Sequence, residues 1–108
     1  MKAWDIYTGN VHGAHPCVLI SCQARIDRKP QVVVLQCRTL QPGQQHEAEL
    51  NEAILDEADG LDWKTICRCD LLYTLDKVAL THKRGAVCFQ RRRDIARKIM
   101  QGLAIAGL

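Results

Sequence analysis

The sequence predicts a single, mainly β domain: a small barrel that ends in an α-helix. Short apolar or alternating runs of strand length are separated by turn signals, roughly every 8–12 residues. In the last quarter of the chain the apolar residues instead recur at helical spacing. The chain has 108 residues, 47% of them hydrophobic, which suits one core and leaves too little for two. We therefore treat 1–108 as one domain.

The first half of the chain predicts strands and the turns between them. Two runs with high apolar and β-branched content favour buried strands, and glycines in the first loop permit a turn. In order, we expect a strand over 4–8, a loop over 9–15, a buried strand over 17–22, a charged hairpin-like connection over 25–30, a buried strand over 31–37, a turn over 41–44 and a short edge strand over 46–50.

The second half begins with an ambiguous acidic stretch over 51–59. Its composition suits one or two helical turns, while a loop or a short strand remains open. Residues 64–72 alternate, with Cys67, Cys69 and Leu71 facing one way and Arg68 and Asp70 the other, which predicts a half-buried strand. A further extended or turn segment is expected over 75–80, and a final short strand over 85–89.

The C-terminal segment is the clearest helix. From 91 to about 106, apolar residues recur three and four positions apart, and Gly107 suits a helix end. Three arginines stand in the first turn, where the helix dipole favours acidic side chains. We expect either a nearby anion, such as an RNA phosphate or an acidic partner segment, or simply a solvated face. The arginines are Arg91, Arg92 and Arg93.

Composition and charge limit the cellular locations and the partners that we expect for this chain. The formal net charge is only +3, and no run reaches the roughly 18 apolar residues that span a bilayer. No apolar stretch follows the N-terminal lysine, so no secretory signal is visible. We therefore expect a soluble cytoplasmic protein with no membrane partner.

The six cysteines predict buried side chains rather than a scaffold or a metal site. They form no Cys-x-x-Cys pair, and the one close pair has the spacing Cys-x-Cys. Zinc sites usually pair ligands two to four residues apart. Without a secretory signal, disulfides are not expected either. Cysteine commonly serves as a small buried apolar side chain on strands.

One segment resembles a known family. Residues 60–77 read Gly-Leu-Asp-Trp-Lys-Thr-Ile-Cys-Arg-Cys-Asp-Leu-Leu-Tyr-Thr-Leu-Asp-Lys, a turn that leads into a strand. This layout resembles the PemK/MazF/Kid family of bacterial growth-inhibitor toxins, whose stretch also opens with Gly-Leu and closes with Thr, Ile or Leu, Asp and Lys. Further matching segments follow the family's order at 4–7, 15–21 and 102–105.

The chain departs from the family at residues that matter for activity. His15 stands where the family has a catalytic arginine before proline, and Tyr73 replaces a second arginine. The family's strand-end threonine falls at Arg38 or Thr39. The loop before Pro16 is shorter than usual, and in the family this loop contacts RNA and the antitoxin.

The resemblance implies an SH3-like barrel with a C-terminal α-helix, usually a homodimer. It also implies the toxin of a type II toxin–antitoxin system, with single-stranded RNA and a cognate antitoxin as partners. Such toxins cleave RNA without metal or cofactor, through a 2′,3′-cyclic phosphate.

For the site, we expect the His15 imidazole to act as acid or base, a role for which histidine side chains are in general better suited than arginine. Arg38 and Thr39 would then supply charge and a hydrogen bond to the phosphate, completing the catalytic set. We expect His12, Arg68 and Asp76 to contact RNA.

Other interpretations stay open. His15 could be an ordinary surface residue in a member that has lost activity, and Asp76 could cap a turn. Tyr73 could stack on a base, or it could pack in the core or at a dimer interface. The alternative function is a catalytically weakened relative that binds RNA, an antitoxin or another protein, such as a topoisomerase in the manner of the CcdB group.

Overall fold

The structure is a computed structural model that describes residues 1–104. It contains six strands, two α-helices and two 3-10 turns. These are β1 (Asp5–Asn10), β2 (Ala14–Leu19), α1 (Gln23–Arg28), β3 (Gln31–Thr39), β4 (Glu52–Leu55), a 3-10 turn (Glu57–Asp59), β5 (Thr65–Asp76), a second 3-10 turn (Lys77–Ala79), β6 (Leu80–Ala86) and α2 (Phe89–Gly102).

All six strands form one antiparallel sheet in the order β4-β5-β3-β2-β1-β6. The edge strands β4 and β6 do not pair with each other. Yet the turn that follows β4 packs on β6, because Gly85 lies against the backbone of Asp59 and Gly60. Since β4 and β6 are opposite edges, the sheet must curve until they meet. The prediction of a mainly β domain with a C-terminal helix is confirmed, with the barrel left open along this seam.

The two faces of the sheet carry separate apolar clusters. We call the face that packs on helix α2 the α2 face. Its cluster joins Val18, Leu35, Cys37, Cys67 and other buried strand residues to Ile95 and Ile99 of the helix. We call the opposite face, which packs on helix α1, the α1 face. Its cluster joins Cys17, Leu19, Val32, Val34 and partly buried Tyr73 to Ile26 of the helix. Because alternate residues of a strand point to opposite faces, these clusters fix the direction of each strand residue.

Two predicted segments, a connection and an edge strand, are wrong. The 25–30 segment is not a hairpin-like link, since helix α1 occupies Gln23–Arg28 and buries Ile26 in the α1-face cluster. The 46–50 segment is not the edge strand, because the edge strand is Glu52–Leu55. The Glu52 carboxylate accepts hydrogen bonds from the Glu49 amide and the His46 ring, and these hold 46–50 as a loop.

Several boundaries shift. Strands β1 and β2 extend into the predicted 9–15 loop, leaving a turn of only three residues over 11–13. The ambiguous 51–59 stretch divides into strand β4 and a 3-10 turn with a capping box at Asp56. The last strand begins earlier than predicted, at Leu80, and α2 begins at Phe89. The predicted helix positions 105 and 106 and the Gly107 helix end lie outside the described residues.

The anion expected near the first turn of α2 comes from the chain itself. The Cys88 amide donates to Asp59 Oδ1 at 2.8 Å. Arg91 donates through Nη2 to Asp56 Oδ1 at 2.7 Å, and its Nε lies 3.0 Å from Asp59 Oδ2 as an ion pair without hydrogen-bond geometry. Burial alone lowers the pKa of Arg91, but these two carboxylates outweigh it and raise the pKa above its usual value.

Four of the six cysteines are buried, as expected for small apolar side chains: Cys17, Cys37, Cys67 and Cys69. Burial raises the pKa of the Cys17 thiol to about 11. A hydrogen bond with the Cys37 thiol, together with burial, raises the pKa of Cys67. A hydrogen bond with Cys67, together with burial, also raises that of Cys69. These three thiols are therefore protonated at neutral pH and unsuited to nucleophilic attack.

No helix among residues 1–104 is long and apolar enough to cross a membrane. Within the same residues, no three His, Cys, Asp or Glu side chains are grouped so that they could hold a metal ion.

Candidate functional site

A cleft of about 450 Å³ opens on the α2 face between β3, β5 and β6. We call it the threonine cleft, because three threonines from three strands line it. Its other lining residues are a short loop segment and three consecutive cationic or ionisable residues of β6. The lining residues are Thr8, Thr39, Leu61, Asp62, Trp63, Thr65, His82, Lys83 and Arg84.

The sheet register brings the three hydroxyls together. Thr39 and Thr65 are directly paired where β3 meets β5, so their side chains share a face. That face also carries Cys37 and Cys67, two residues away on each strand, and is therefore the α2 face. Thr8 reaches the same side from β1, since it alternates with buried Ile6 of the α2-face cluster.

Cationic side chains of β6 also line the threonine cleft. Arg84 donates through Nε to Thr8 Oγ1 at 2.8 Å, and this bond holds the guanidinium at the cleft. Within residues 1–104, Arg84 forms no ion pair. Lys83 lies 3.4 Å from Asp5 Oδ1, as an ion pair that leaves the ammonium half-exposed. A planar guanidinium without a carboxylate partner is suited to bidentate contact with a phosphate.

His82 adds an imidazole in a strained backbone conformation. Its φ is +52°, in the left-handed region that non-glycine residues rarely adopt. The pairing of β6 with β1 is irregular nearby, where the register shifts on either side of Tyr7. Such a bulge at a sheet edge turns a side chain toward a new direction, and backbone strain of this kind collects at functional sites.

The third wall is a loop held rigidly at both ends. Thr65 Oγ1 donates to the Trp63 carbonyl at 3.1 Å, and the Leu40 amide donates to the Lys64 carbonyl at 2.9 Å. Leu61 is buried beneath the loop, and its amide donates to the Asp56 carbonyl at 3.3 Å. Trp63 is 54% exposed at the cleft.

The structure divides the predicted catalytic set between the two faces of the sheet. Thr39 lines the threonine cleft on the α2 face. Arg38 is the next residue along the strand and points to the α1 face. His15 is half-buried and alternates with Cys17 and Leu19, so it also lies on the α1 face. His15 and Arg38 stand at the same end of their strands, two residues beyond the Cys17–Gln36 pair.

Arg38 and Arg68 line a second cleft of about 370 Å³, which we call the carboxylate cleft. Its lining also includes three acidic side chains, Glu49, Glu52 and Asp70. Burial alone raises the pKa of Glu52, but its hydrogen bonds to His46 and the Glu49 amide and the nearby Arg68 charge outweigh burial, so the pKa lies below its usual value. The Glu52 side chain is therefore an anion at neutral pH. Three carboxylates beside two guanidiniums make this cleft a poor place for a polyanion.

The remaining predicted residues lie elsewhere. His12 occupies the tight turn between β1 and β2 with φ +55°, and its ring meets Tyr73 edge-on, with the ring centroids 6.4 Å apart. Asp76 accepts from Gln31 Nε2 at 3.1 Å across the sheet and makes no capping hydrogen bond at the turn that it precedes. His12 and Asp76 line neither cleft.

Sequence reasoning missed most of the threonine cleft. The sequence predicted no catalytic or RNA-binding role for the other polar or aromatic residues of this cleft that are discussed above: Thr8, Trp63, Thr65, His82, Lys83 and Arg84. The available signal was the run His-Lys-Arg at 82–84, which lies between the segments predicted over 75–80 and 85–89. Its meaning depends on β6 pairing with β1 across the sheet, which the sequence does not reveal.

Comparisons with known proteins identify the fold. No family model matches the chain, and no curated protein matches it in sequence. Solved structures do match. The MazF-mt6 toxin of Mycobacterium tuberculosis has a TM-score of 0.78 at 17% identity, over 91% of this chain and 94% of that one.

Two further structures agree. An endoribonuclease from a mycobacterial species, solved with its cognate antitoxin, gives a TM-score of 0.82 at 20% identity, over 97% of this chain and 96% of that one. A structure of MazE–MazF from Deinococcus radiodurans gives 0.72 at 11% identity, over 97% and 95%. The chain therefore has the fold of MazF-type toxins, as the resemblance of residues 60–77 predicted.

Proposed function

We propose that this chain is the toxin of a toxin–antitoxin pair and that it cleaves single-stranded RNA without a metal ion. The observation that carries the proposal is the threonine cleft, where an imidazole, a guanidinium, an ammonium and three hydroxyls face one space with a single carboxylate, Asp62. Positive potential of this kind attracts a phosphodiester. The shared fold with MazF-type toxins and an endoribonuclease supports the same reaction class.

RNA cleavage of this type needs two proton transfers and charge stabilisation. The 2′-hydroxyl loses its proton and attacks the adjacent phosphorus, the bond to the 5′-oxygen breaks, and that oxygen takes up a proton. The products are a 2′,3′-cyclic phosphate and a free 5′-hydroxyl. In the proposal, His82 transfers protons, Arg84 and Lys83 neutralise the phosphoryl oxygens, and Thr39 donates a hydrogen bond to one of them.

His15 remains the competing candidate for proton transfer. It occupies the family's arginine position and shares the α1 face with Arg38. Together these two residues would form a site separate from the threonine cleft. The two arrangements predict different variants to be inactive, so one experiment distinguishes them.

The experiment incubates the purified protein with labelled RNA of mixed sequence in the presence of EDTA. Fragments that end in a cyclic phosphate support the nuclease. We expect His82→Ala and Arg84→Ala each to lower the cleavage rate by about 100-fold, in the range for lost acid–base or oxyanion stabilisation. His46→Ala is the matched control, because His46 lies in the carboxylate cleft.

A loss of cleavage in His15→Ala, with His82→Ala active, would move the chemistry to the α1 face. If wild-type protein cleaves none of several RNAs, the result supports the alternative function. The chain would then be a catalytically weakened relative that acts by binding RNA, an antitoxin or another protein. The exchange of the family arginine for His15 favours that alternative.

We further propose a cognate antitoxin and a homodimeric state for this chain. Two of the similar structures contain an antitoxin or MazE. Light scattering of the purified protein measures its mass against the 12.2 kDa of one chain. Roles for His12, Arg68 and Asp76 in contacting RNA stay predictions, and their alanine variants belong in the same binding assay.

A further inference from the structure

We propose that Trp63 stacks on an unpaired base of the nucleic acid, next to the phosphate that Arg84 holds, and so selects single-stranded substrates with an accessible base. The inference rests on the proposed function, because it assigns a subsite of the threonine cleft. It concerns base recognition and not the chemistry of cleavage, so the two can be tested apart.

The Trp63 side chain is exposed. Trp63 leaves 54% of its surface in water although it belongs to a small domain with few aromatic residues. It is part of neither apolar cluster. The other tryptophan, Trp4, packs against the α2-face cluster, so the fold does have room for a large aromatic in its core. An aromatic side chain left at the opening of a cleft is available to a ligand.

The loop that carries Trp63 is held by hydrogen bonds. The Trp63 carbonyl accepts from Thr65 Oγ1, and the neighbouring Lys64 carbonyl accepts from the Leu40 amide. Buried Leu61 anchors the other end of the loop. The backbone is therefore fixed before a ligand arrives, which reduces the entropy lost when a base stacks on the ring.

Trp63 shares its cleft with cationic side chains. Trp63 and Arg84 line the same cleft, with Lys83 and His82 next to Arg84 in the chain. Single-stranded nucleic acids are bound by this combination, an aromatic surface for a base and cations for the backbone. A base inside a duplex is already stacked on both sides, so only an unpaired base can use the indole.

Fluorescence provides the direct test, because the chain has only two tryptophans. In a Trp4→Phe variant, Trp63 is the one remaining indole. The probe is a single-stranded 2′-O-methyl RNA, which the nuclease cannot cleave. We expect titration with it to quench the emission, and the same sequence made abasic to leave the emission unchanged. If Trp4→Phe does not fold, the difference between wild type and Trp63→Phe gives the same signal.

Affinity provides the second test. We expect Trp63→Ala to weaken binding of the single-stranded probe about tenfold, the effect of losing one stacked base, and Trp63→Phe to retain most of the affinity. A duplex of the same sequence should bind wild type and Trp63→Ala equally.

The inference is overturned if Trp63→Ala binds the probe like wild type, or if intact and abasic probes bind and quench equally. If Trp63→Ala cleaves RNA at the wild-type rate and with the wild-type affinity, the stacking role is contradicted and the nuclease function is supported. If the probe quenches Trp63 specifically but wild type cleaves no RNA, the stacking role is supported and the nuclease function is contradicted.

Discussion

The two edges of the sheet use cationic side chains in opposite ways. At the β4 edge, helix α2 lies across the strand, and two of its cations bind outward carbonyls: Arg91 Nη1 donates to Ile54 O at 2.9 Å, and Lys98 Nζ donates to Glu52 O at 2.7 Å. At the β6 edge, residues 81–84 are exposed, and Lys83 and Arg84 are directed to the threonine cleft.

The difference shows what decides the role of a basic residue in this chain. A row of unpaired backbone groups on an edge strand invites pairing with another chain unless it is covered. The cations of α2 cover β4, and carboxylates of the chain, such as Asp56 and Asp59, neutralise Arg91. The cations of β6 have fewer internal partners and therefore remain available to an external anion.

The edges meet at one seam, and a change there should have the largest effect on stability. A Cβ on Gly85 would lie far inside contact distance of the Asp59 carbonyl oxygen and close to Gly60, both of which are backbone. Since neither can move as a flexible side chain does, we expect Gly85→Ala to lower the free energy of unfolding by about 3 kcal/mol, at the upper end for overpacking.

Urea denaturation followed by circular dichroism measures this loss. Thr81→Ala, at an exposed position of the same strand, is the control and should change stability by less than about 0.5 kcal/mol. Equal stability of Gly85→Ala and wild type would mean that the two edges are not in contact at this point.

A second substitution separates the covered edge from the free one. Arg91→Ala removes three contacts, with Ile54, Asp56 and Asp59, and leaves the buried Asp59 carboxylate without its cation. Because the Arg91 side chain is 30% exposed, water weakens the ion pairs, and we expect a loss of about 2 kcal/mol rather than the larger value for a fully buried pair.

The matched variant is Arg93→Ala, two residues along the same helix and exposed, which should leave stability within about 0.5 kcal/mol of wild type. In chemical denaturation, similar midpoints for Arg91→Ala and Arg93→Ala would contradict the assignment of Arg91 to the fold.

Elements that follow from local residue patterns could be predicted from the sequence. The buried strands β2 and β3, predicted over 17–22 and 31–37, follow from apolar, β-branched runs. The alternation predicted over 64–72 holds as far as Cys69, but the shifted register between β3 and β5 then places Leu72, and not Leu71, in the α2-face cluster. Helix α1 was missed because its amphipathic signal is a single residue, Ile26, in a charged hexamer. The edge strand was placed too early because the Glu52 side chain, and not strand propensity, holds 46–50 as a loop.

The site was harder to predict than the fold for a physical reason. Neighbouring residues of a strand point to opposite faces, so Arg38 and Thr39, grouped in the sequence, line different clefts. Conversely, Thr39 and Arg84 are far apart in sequence and line one cleft, because the sheet curves until β6 approaches the 59–60 turn. A motif on one segment cannot contain that information.

The smallest effect we predict concerns acid stability at the covered edge. The pKa of Glu52 lies below its ordinary value of 4.5, because its hydrogen bonds to His46 and the Glu49 amide and the Arg68 charge outweigh burial. As the pH falls below about 4.5, the unfolded chain takes up this proton before the folded one does. Glu52 therefore stabilises the fold fully above that pH, and the contribution disappears as the pH falls through the lowered pKa.

We expect Glu52→Gln to remove about 1 kcal/mol at neutral pH, the typical contribution of a hydrogen bond to a largely buried acceptor, and to flatten the stability curve below pH 4.5. Urea midpoints measured across that range test the slope, with exposed Glu47→Gln as the control. A wild-type slope in Glu52→Gln would show that other carboxylates govern acid unfolding and that the His46–Glu52 contact does not hold this loop.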